Sequence, residues 1–200
     1  MTHSLHRRGT KESLSDDFVV LAIAAQGINS GDAAPKLGRI AGILANDKAV
    51  NYGDMRYGMC LQYEKDFFKS NAVYNSIVHG CYTNEDDVVE VLKELKKEDL
   101  GISVVVSADF ERTERIAKKA GVEWHTKNMS LGIWGATHKL PQEEILEITT
   151  MCGHAMISSN LVRHMAKEIK AGNRTCQSAA EEIAKKCSRE AQGHLFLTGF

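Results

Sequence analysis

The sequence predicts an α/β fold, namely a Rossmann-like, mostly parallel sheet flanked by helices, with a C-terminal helical part. Residues 18–25 form an unbroken apolar run and residues 102–107 a Val-rich one. Such runs are typical of strands buried on both faces. Strand patterns alternate with helical patterns through the first two thirds of the chain, which indicates parallel strands covered by helices. The last third has helical patterns alone.

The first part of the chain contains a tail, a strand, a helix and an edge strand. Residues 1–17 lack a periodic apolar pattern and are predicted to be a tail or a loop. After the strand at 18–25, a helix is predicted to begin near Pro35 and to reach about residue 46. Proline suits the first turn of a helix, because N–H groups there make no hydrogen bond within the helix and proline has none. The polar and aromatic residues 49–57 predict an edge strand.

The middle of the chain shows the alternation most clearly. Residues 76–82 predict a strand, and the helix that follows ends at Gly101. Residues 102–107 predict the next strand, and its following helix ends at Gly121. Residues 122–126 predict a short last strand.

The C-terminal part is predicted to be helical. Pro141 and the acidic residues after it indicate a helix start. Two further helices are predicted at about residues 155–171 and 175–188. No repeat or low-complexity linker interrupts the chain, so we expect a single α/β domain over residues 18–200, with C-terminal helices from about residue 141.

One alternative topology stays open. If residues 64–69 form a helix, the strands on either side are expected to be parallel and the fold Rossmann-like. If they form a long hairpin loop, residues 18–107 have the order βαββαβ, which is that of a ferredoxin-like α+β core. The continuous apolar strands favour the first interpretation.

Composition limits the classes of function. The chain has 200 residues and a net charge of −1, so we expect no nucleic-acid partner, although a local basic patch is compatible with this charge. The longest apolar run, at residues 18–25, is far shorter than the roughly 20 residues that span a membrane, so we expect no membrane partner. Five cysteines without an export signal predict thiols or metal ligands in a cytoplasmic protein.

Two mirrored triplets are the most unusual local feature: His-Gly-Cys at residues 79–81 and Cys-Gly-His at residues 152–154. In a strand, His79 and Cys81 project from the same face, and the glycine at residue 153 would let a broken helix bring Cys152 and His154 together. These four side chains have the ligand composition that zinc prefers. We therefore predict that His79, Cys81, Cys152 and His154 bind a divalent metal such as zinc, at the C-terminal end of the sheet where α/β folds bind ligands.

Two other interpretations of these triplets stay open. Cysteine often behaves as a small buried hydrophobe, and neither triplet has the spacing of CxxC or HExxH metal motifs. Alternatively, Cys152 at a helix N-terminus would have a lowered thiol pKa and act as a nucleophile without a metal. Cys152 and His154 are the candidate catalytic residues, with the histidine acting as base or acid.

The loop after the first strand is a candidate cofactor site. Gly27, Asn29, Ser30 and Gly31 precede a predicted helix, where a phosphate could bind to backbone N–H groups. The loop matches neither GxGxxG nor the Walker spacing, so an ordinary turn is the alternative.

Two functions from different classes follow from these features. The first is a cytoplasmic enzyme that acts on a small-molecule substrate through the Cys/His centre, with a bound metal. The second is a non-catalytic ligand-binding or assembly module of ferredoxin-like topology. The apolar, glycine-punctuated segment 128–135 suits a pocket or a subunit contact, and an exposed Trp134 there would favour a homo-oligomer.

Overall fold

A computed structural model describes residues 7–151 and 157–185. The chain divides into two compact units. One unit is Ser15–His125, called the sheet unit below, and the other combines Met1–Leu14 with Thr126–Phe200, called the helical unit below. The single domain expected over residues 18–200 stays a prediction. No helix among the described residues combines the length and apolar character that crossing a membrane requires.

The first helix, α1 (Lys11–Ser15), lies in the segment predicted to be a tail or a loop. The remaining elements up to residue 120 alternate between strands and helices, as the sequence indicates. They are β1 (Phe18–Ile23), α2 (Ala33–Leu44), β2 (Asn51–Asp54), β3 (Gly58–Met59), α3 (Lys65–Asn71), β4 (Ile77–Tyr82), α4 (Glu85–Glu98), β5 (Ser103–Ser107) and α5 (Phe110–Ala120).

The five strands form one antiparallel sheet in the order β3-β2-β4-β1-β5. Strand β1 pairs antiparallel with both β4 and β5, and β2 pairs antiparallel with β3 and β4. The prediction of a Rossmann-like, mostly parallel sheet is therefore wrong, and the fold is α+β. Without the two-residue strand β3 and the helix α3, the observed element order is the βαββαβ of the alternative topology.

The prediction failed because each helical connection skips one strand. Helix α2 connects β1 to β2, which run in the same direction but have β4 between them. Helix α4 connects β4 to β5 in the same way, around β1. Strand–helix–strand units were thus correctly recognised, but their strands interleave, and each neighbouring pair is antiparallel.

A helix at residues 64–69 does not imply parallel strands, contrary to our expectation. Helix α3 is present, yet β2 and β4, the observed counterparts of the two strands expected to be parallel, are antiparallel. The β2–β3 hairpin has already reversed the chain before α3 begins. Helix α3 lies beside α2, so closely that a Cβ on Gly38 would lie 2.4 Å from the Lys69 carbonyl oxygen.

The main core lies between the sheet and helices α2 and α4. Phe18, Val20 and Ala22 point from β1 toward these helices and are fully buried. Val19 and Leu21 point from the opposite face and are also buried. The continuous apolar run of β1 therefore does report burial on both faces, but a central antiparallel strand has this property as well as a parallel one.

Residues 122–126 do not form the predicted last strand. Strand β5 is an edge of the sheet and pairs only with β1 among the described residues. The segment after α5 is irregular, and Trp124 packs edge-on against Phe110 with ring centroids 6.4 Å apart. Its apolar side chains are thus used in local packing against α5.

The helical unit contains a short 3-10 turn (Thr137–Lys139) and helices α6 (Glu143–Thr149), α7 (Ser159–Lys170) and α8 (Cys176–Ala184). These helices share a small apolar core that includes Met151, Val162, Met165 and Ile183. The helical character predicted for the C-terminal part agrees with these elements.

Candidate functional site

His79 and Cys81 lie on β4, in the centre of the sheet. Their positions alternate with those of Val78, Gly80 and Tyr82, so the side chains of His79 and Cys81 project from the face opposite α2 and α4. Both residues are only 1% exposed. The prediction that His79 and Cys81 share one face follows from strand geometry and agrees with the observed register.

Gly80 serves the other face of β4. A Cβ at this position would lie 2.7 Å from the Leu44 carbonyl oxygen and 2.8 Å from the Tyr82 hydroxyl. The Tyr82 hydroxyl donates a hydrogen bond to the same Leu44 oxygen at 2.7 Å. Burial raises the pKa of Tyr82 strongly, so this hydroxyl keeps its proton and donates. Gly80 thus permits the end of α2 to approach the sheet.

Two further residues, which sequence reasoning did not assign to the site, are Asn51 of β2 and Cys60, the residue after β3. Asn51 pairs with Cys81 across the β2–β4 ladder and is buried on the same face. The Cys60 thiol donates a hydrogen bond to Asn51 Oδ1 at 3.2 Å. Burial raises the pKa of the Cys60 thiol, which keeps it protonated and able to donate. The Asn51 Nδ2 atom is buried, without a hydrogen-bond partner in the described part of the chain.

These side chains form a polar patch on the face of the sheet opposite α2 and α4. We call His79, Cys81, Asn51 and Cys60 the thiol–imidazole patch. It is bordered by Val19 and Leu21 of β1, which pair with Cys81 and His79. The sequence around Asn51 has no periodic pattern that assigns it to the site, and Cys60 lies beyond the last residue of β3. Asn51 lies beside Cys81 only because β2 pairs with β4. Cys60 joins the patch through its hydrogen bond to Asn51.

The second triplet lies outside the described residues. The predicted ligands and catalytic residues Cys152 and His154 therefore have no structural account, and the four-residue metal set stays a prediction. Among residues 7–151 and 157–185, no three His, Cys, Asp or Glu side chains are grouped as metal ligands. Because neighbouring strands run in opposite directions, the sheet also lacks the common carboxyl edge at which we expected the site.

The candidate cofactor loop uses its polar side chains internally. Asn29 Oδ1 accepts a hydrogen bond from the Ala25 N–H at 2.7 Å, and Asn29 Nδ2 donates to the Gly101 carbonyl at 2.6 Å. Ser30 Oγ accepts from the Gly27 N–H at 3.2 Å. These bonds describe an ordered turn that ties the end of β1 to the start of β5. The cofactor role of Gly27, Asn29, Ser30 and Gly31 stays a prediction.

A charged cluster at the start of β1 was not apparent from the sequence. Arg112 Nε contacts Glu85 Oε1 at 2.7 Å, and Arg115 Nη2 contacts the same oxygen at 2.8 Å. Arg112 also donates to the Ser15 carbonyl and lies over the Phe18 ring, 4.4 Å from its centroid. Hydrogen bonds from Arg115 and Arg112 hold the pKa of Glu85 below its usual value. This cluster joins α4, α5 and β1, and we assign it a structural role.

Several exposed apolar residues lie close together in sequence in the helical unit. Leu131 is 85% exposed and Trp134 is 82% exposed, and Met129 is exposed as well. Segment 128–135, predicted to line a pocket or a subunit contact, thus presents its large side chains to solvent.

No family model, curated protein or solved structure matches this chain.

Proposed function

We propose that this chain is a cytoplasmic enzyme that acts on a small molecule through a Cys/His centre, with a bound divalent metal such as zinc. The observation that carries the proposal is the burial of His79 and Cys81 on one face of β4. Interior positions of a central strand usually hold aliphatic side chains. A thiol and an imidazole side by side at such positions favour a chemical use.

The chemistry of the patch supports zinc over a hard cation. Thiolate sulfur and imidazole nitrogen are the ligands that zinc prefers, whereas calcium and magnesium prefer oxygen. His79 and Cys81 supply one donor of each kind, and Cys152 and His154 supply the remaining two in this proposal. Asn51, beside Cys81, can orient a ligand or a substrate through its amide. When bound, zinc would act as a Lewis acid toward the substrate.

Metal content measured without an affinity tag tests this proposal. Elemental analysis of the purified full chain is expected to find about one zinc per chain. Cys81→Ala and Cys152→Ala should each lose that zinc. Cys176→Ala is the matched control, because Cys176 is a half-buried cysteine of α8 outside the proposed set, and it should keep the metal.

Folding must be measured in the same samples, by circular dichroism and urea denaturation. Zinc retained in Cys81→Ala at wild-type level would contradict the role of Cys81. A wild-type protein that contains no metal, and still binds none after incubation with zinc, would remove the metal from the proposal altogether.

A second function, self-assembly, is favoured by segment 128–135. Its exposed side chains include Met129, Leu131 and Trp134, and it contains no charged residue. Interface cores are depleted in charge and enriched in Trp and Met, and exposed apolar patches of several hundred Å² mark interaction sites. We infer that a second copy of this chain covers the segment, which gives a homo-oligomer.

The oligomeric state measured by light scattering tests the second function. Leu131→Ser and Trp134→Ser should shift the protein from dimer toward monomer. Ile28→Ser is the control, because Ile28 is as exposed as Leu131, at 85%, but lies in the sheet unit. A wild-type monomer at high protein concentration, or an equal effect of the control, would refute self-assembly through this segment.

A further inference from the structure

Helix α7 carries cations that are not neutralised within the described chain. Several cations elsewhere contact carboxylates, although others, such as Lys93 and Lys97, form no ion pair with a described carboxylate; Lys36 lies 2.7 Å from Asp32, for example. Ion pairs of the same kind join Arg39 to Glu98, Lys48 to Asp87 and Glu90, and Lys119 to Asp86. Arg163, Lys167 and Lys170 of α7 are exposed, and none of them forms an ion pair with a described carboxylate.

These three cations lie on one side of α7. At about 100° per residue, Arg163, Lys167 and Lys170 fall within a sector of roughly 60°. They span about 10 Å along the helix axis. We call these three residues the basic face. Met165, on the opposite side of α7, and Val162 are buried in the core of the helical unit.

We propose that the basic face binds the phosphate backbone of a nucleic acid, without sequence preference. A protein partner is disfavoured because protein interfaces have an apolar core, and α7 has no exposed large apolar side chain beside the basic face. A lipid surface is disfavoured because amphipathic helices bind membranes through their apolar side, and that side of α7 is buried. Nucleic acid has the matching chemistry, since duplex DNA carries one negative charge per roughly 1.7 Å of axis.

The near-neutral composition does not oppose this inference. A net charge of −1 removes long-range attraction by the whole chain, but backbone binding depends on the cations at the contact. Three phosphate contacts predict a slope of log K against log salt of about −2.7 on duplex DNA and about −2.1 on single strands. The expected affinity is that of non-specific binding, with a Kd of about 10⁻⁴ to 10⁻⁶ M at physiological salt. The proposal is independent of the Cys/His centre.

Fluorescence anisotropy of the full chain with a labelled random-sequence duplex and a labelled single-stranded RNA tests the proposal. The salt concentration is varied between about 50 and 200 mM. The triple variant Arg163→Ala, Lys167→Ala, Lys170→Ala should bind at least about tenfold more weakly at the lowest salt and lose most of the salt dependence. Alanine favours helix at these exposed positions, so the variant should fold normally, which circular dichroism checks.

A second triple variant separates the basic face from net charge. Lys93→Ala, Lys97→Ala, Lys139→Ala removes the same charge from exposed positions elsewhere, and it should bind like the wild type. Equal weakening by both triple variants would overturn the proposal. So would a wild-type protein that does not bind either nucleic acid at the lowest salt. Binding to anionic vesicles with no binding to nucleic acid would overturn it as well.

Discussion

Two glycines one turn apart on α2 offer a matched test of the contact between α2 and α3. A Cβ at Gly38 would lie 2.4 Å from the carbonyl oxygen of Lys69, which is backbone and cannot move alone. A Cβ at Gly42 would lie 3.2 Å from side-chain carbons of the same Lys69, which can move. The same substitution to alanine should therefore have opposite effects at the two positions.

The magnitudes follow from two competing terms. Replacing glycine by alanine inside a helix stabilises by up to about 1 kcal/mol. Forcing an extra carbon into a closely packed contact costs about 1–3 kcal/mol. Gly38→Ala should thus lower the free energy of unfolding by about 1–2 kcal/mol, and Gly42→Ala should raise it by up to about 1 kcal/mol.

Urea denaturation of both variants measures this difference. With a slope of about 1–3 kcal/mol per molar urea, the two midpoints should differ by on the order of 1 M, on opposite sides of the wild-type midpoint. If both variants shift in the same direction by similar amounts, α3 does not pack against Gly38, and the placement of α3 as a return connection beside α2 is refuted.

Two further predictions concern buried and paired polar groups. Tyr82→Phe removes the hydroxyl that donates to the Leu44 carbonyl and should lower the free energy of unfolding by about 1–2 kcal/mol; unchanged stability in thermal denaturation would show that this bond contributes nothing. The folded-state pKa of Glu85 lies below the usual value of about 4.3. Its ion pair with Arg115 therefore stabilises the fold at pH values above about 4.3. This contribution is lost as the pH falls through the lower folded-state pKa. Glu85→Gln should therefore reduce stability near neutral pH and reduce its loss in acid, and an unchanged dependence of the unfolding midpoint on pH would contradict this assignment.

The individual strands are encoded locally in the sequence, whereas their order in the sheet is not. The strand predicted at 76–82 is observed as Ile77–Tyr82, and the one at 102–107 as Ser103–Ser107. These elements were predictable because their apolar patterns and bounding turn residues are local. The strand order was not, because it depends on which strand the chain inserts between two others, and no local pattern encodes that choice.

The hairpin at residues 54–58 explains why β2 and β4 are antiparallel and not parallel as predicted. Asp54 Oδ1 accepts a hydrogen bond from the Arg56 N–H at 2.9 Å, and the Tyr57 N–H donates to the Asp54 carbonyl at 3.0 Å. This turn reverses the chain, and it changes the relation between β2 and β4 from parallel to antiparallel. The edge strand predicted over 49–57 includes β2 and that turn but ends before β3, so the prediction treated the turn as part of a strand and missed the reversal of the chain.

The same distinction explains what could be inferred about the candidate site. That His79 and Cys81 share a face follows from the period of two in any strand, and this part of the prediction needed no topology. Which residues stand beside them depends on the strand order, so Asn51 could be placed next to Cys81 only once β2 was known to pair with β4. In a parallel sheet with the strands in chain order, these positions would have had other neighbours. The thiol–imidazole patch is therefore a consequence of the interleaved antiparallel topology. Gly80 and Tyr82 are adjacent to Cys81 in sequence but lie on the opposite face of β4. Substitutions at Asn51 should therefore affect the environment of Cys81 more than substitutions at Gly80 or Tyr82.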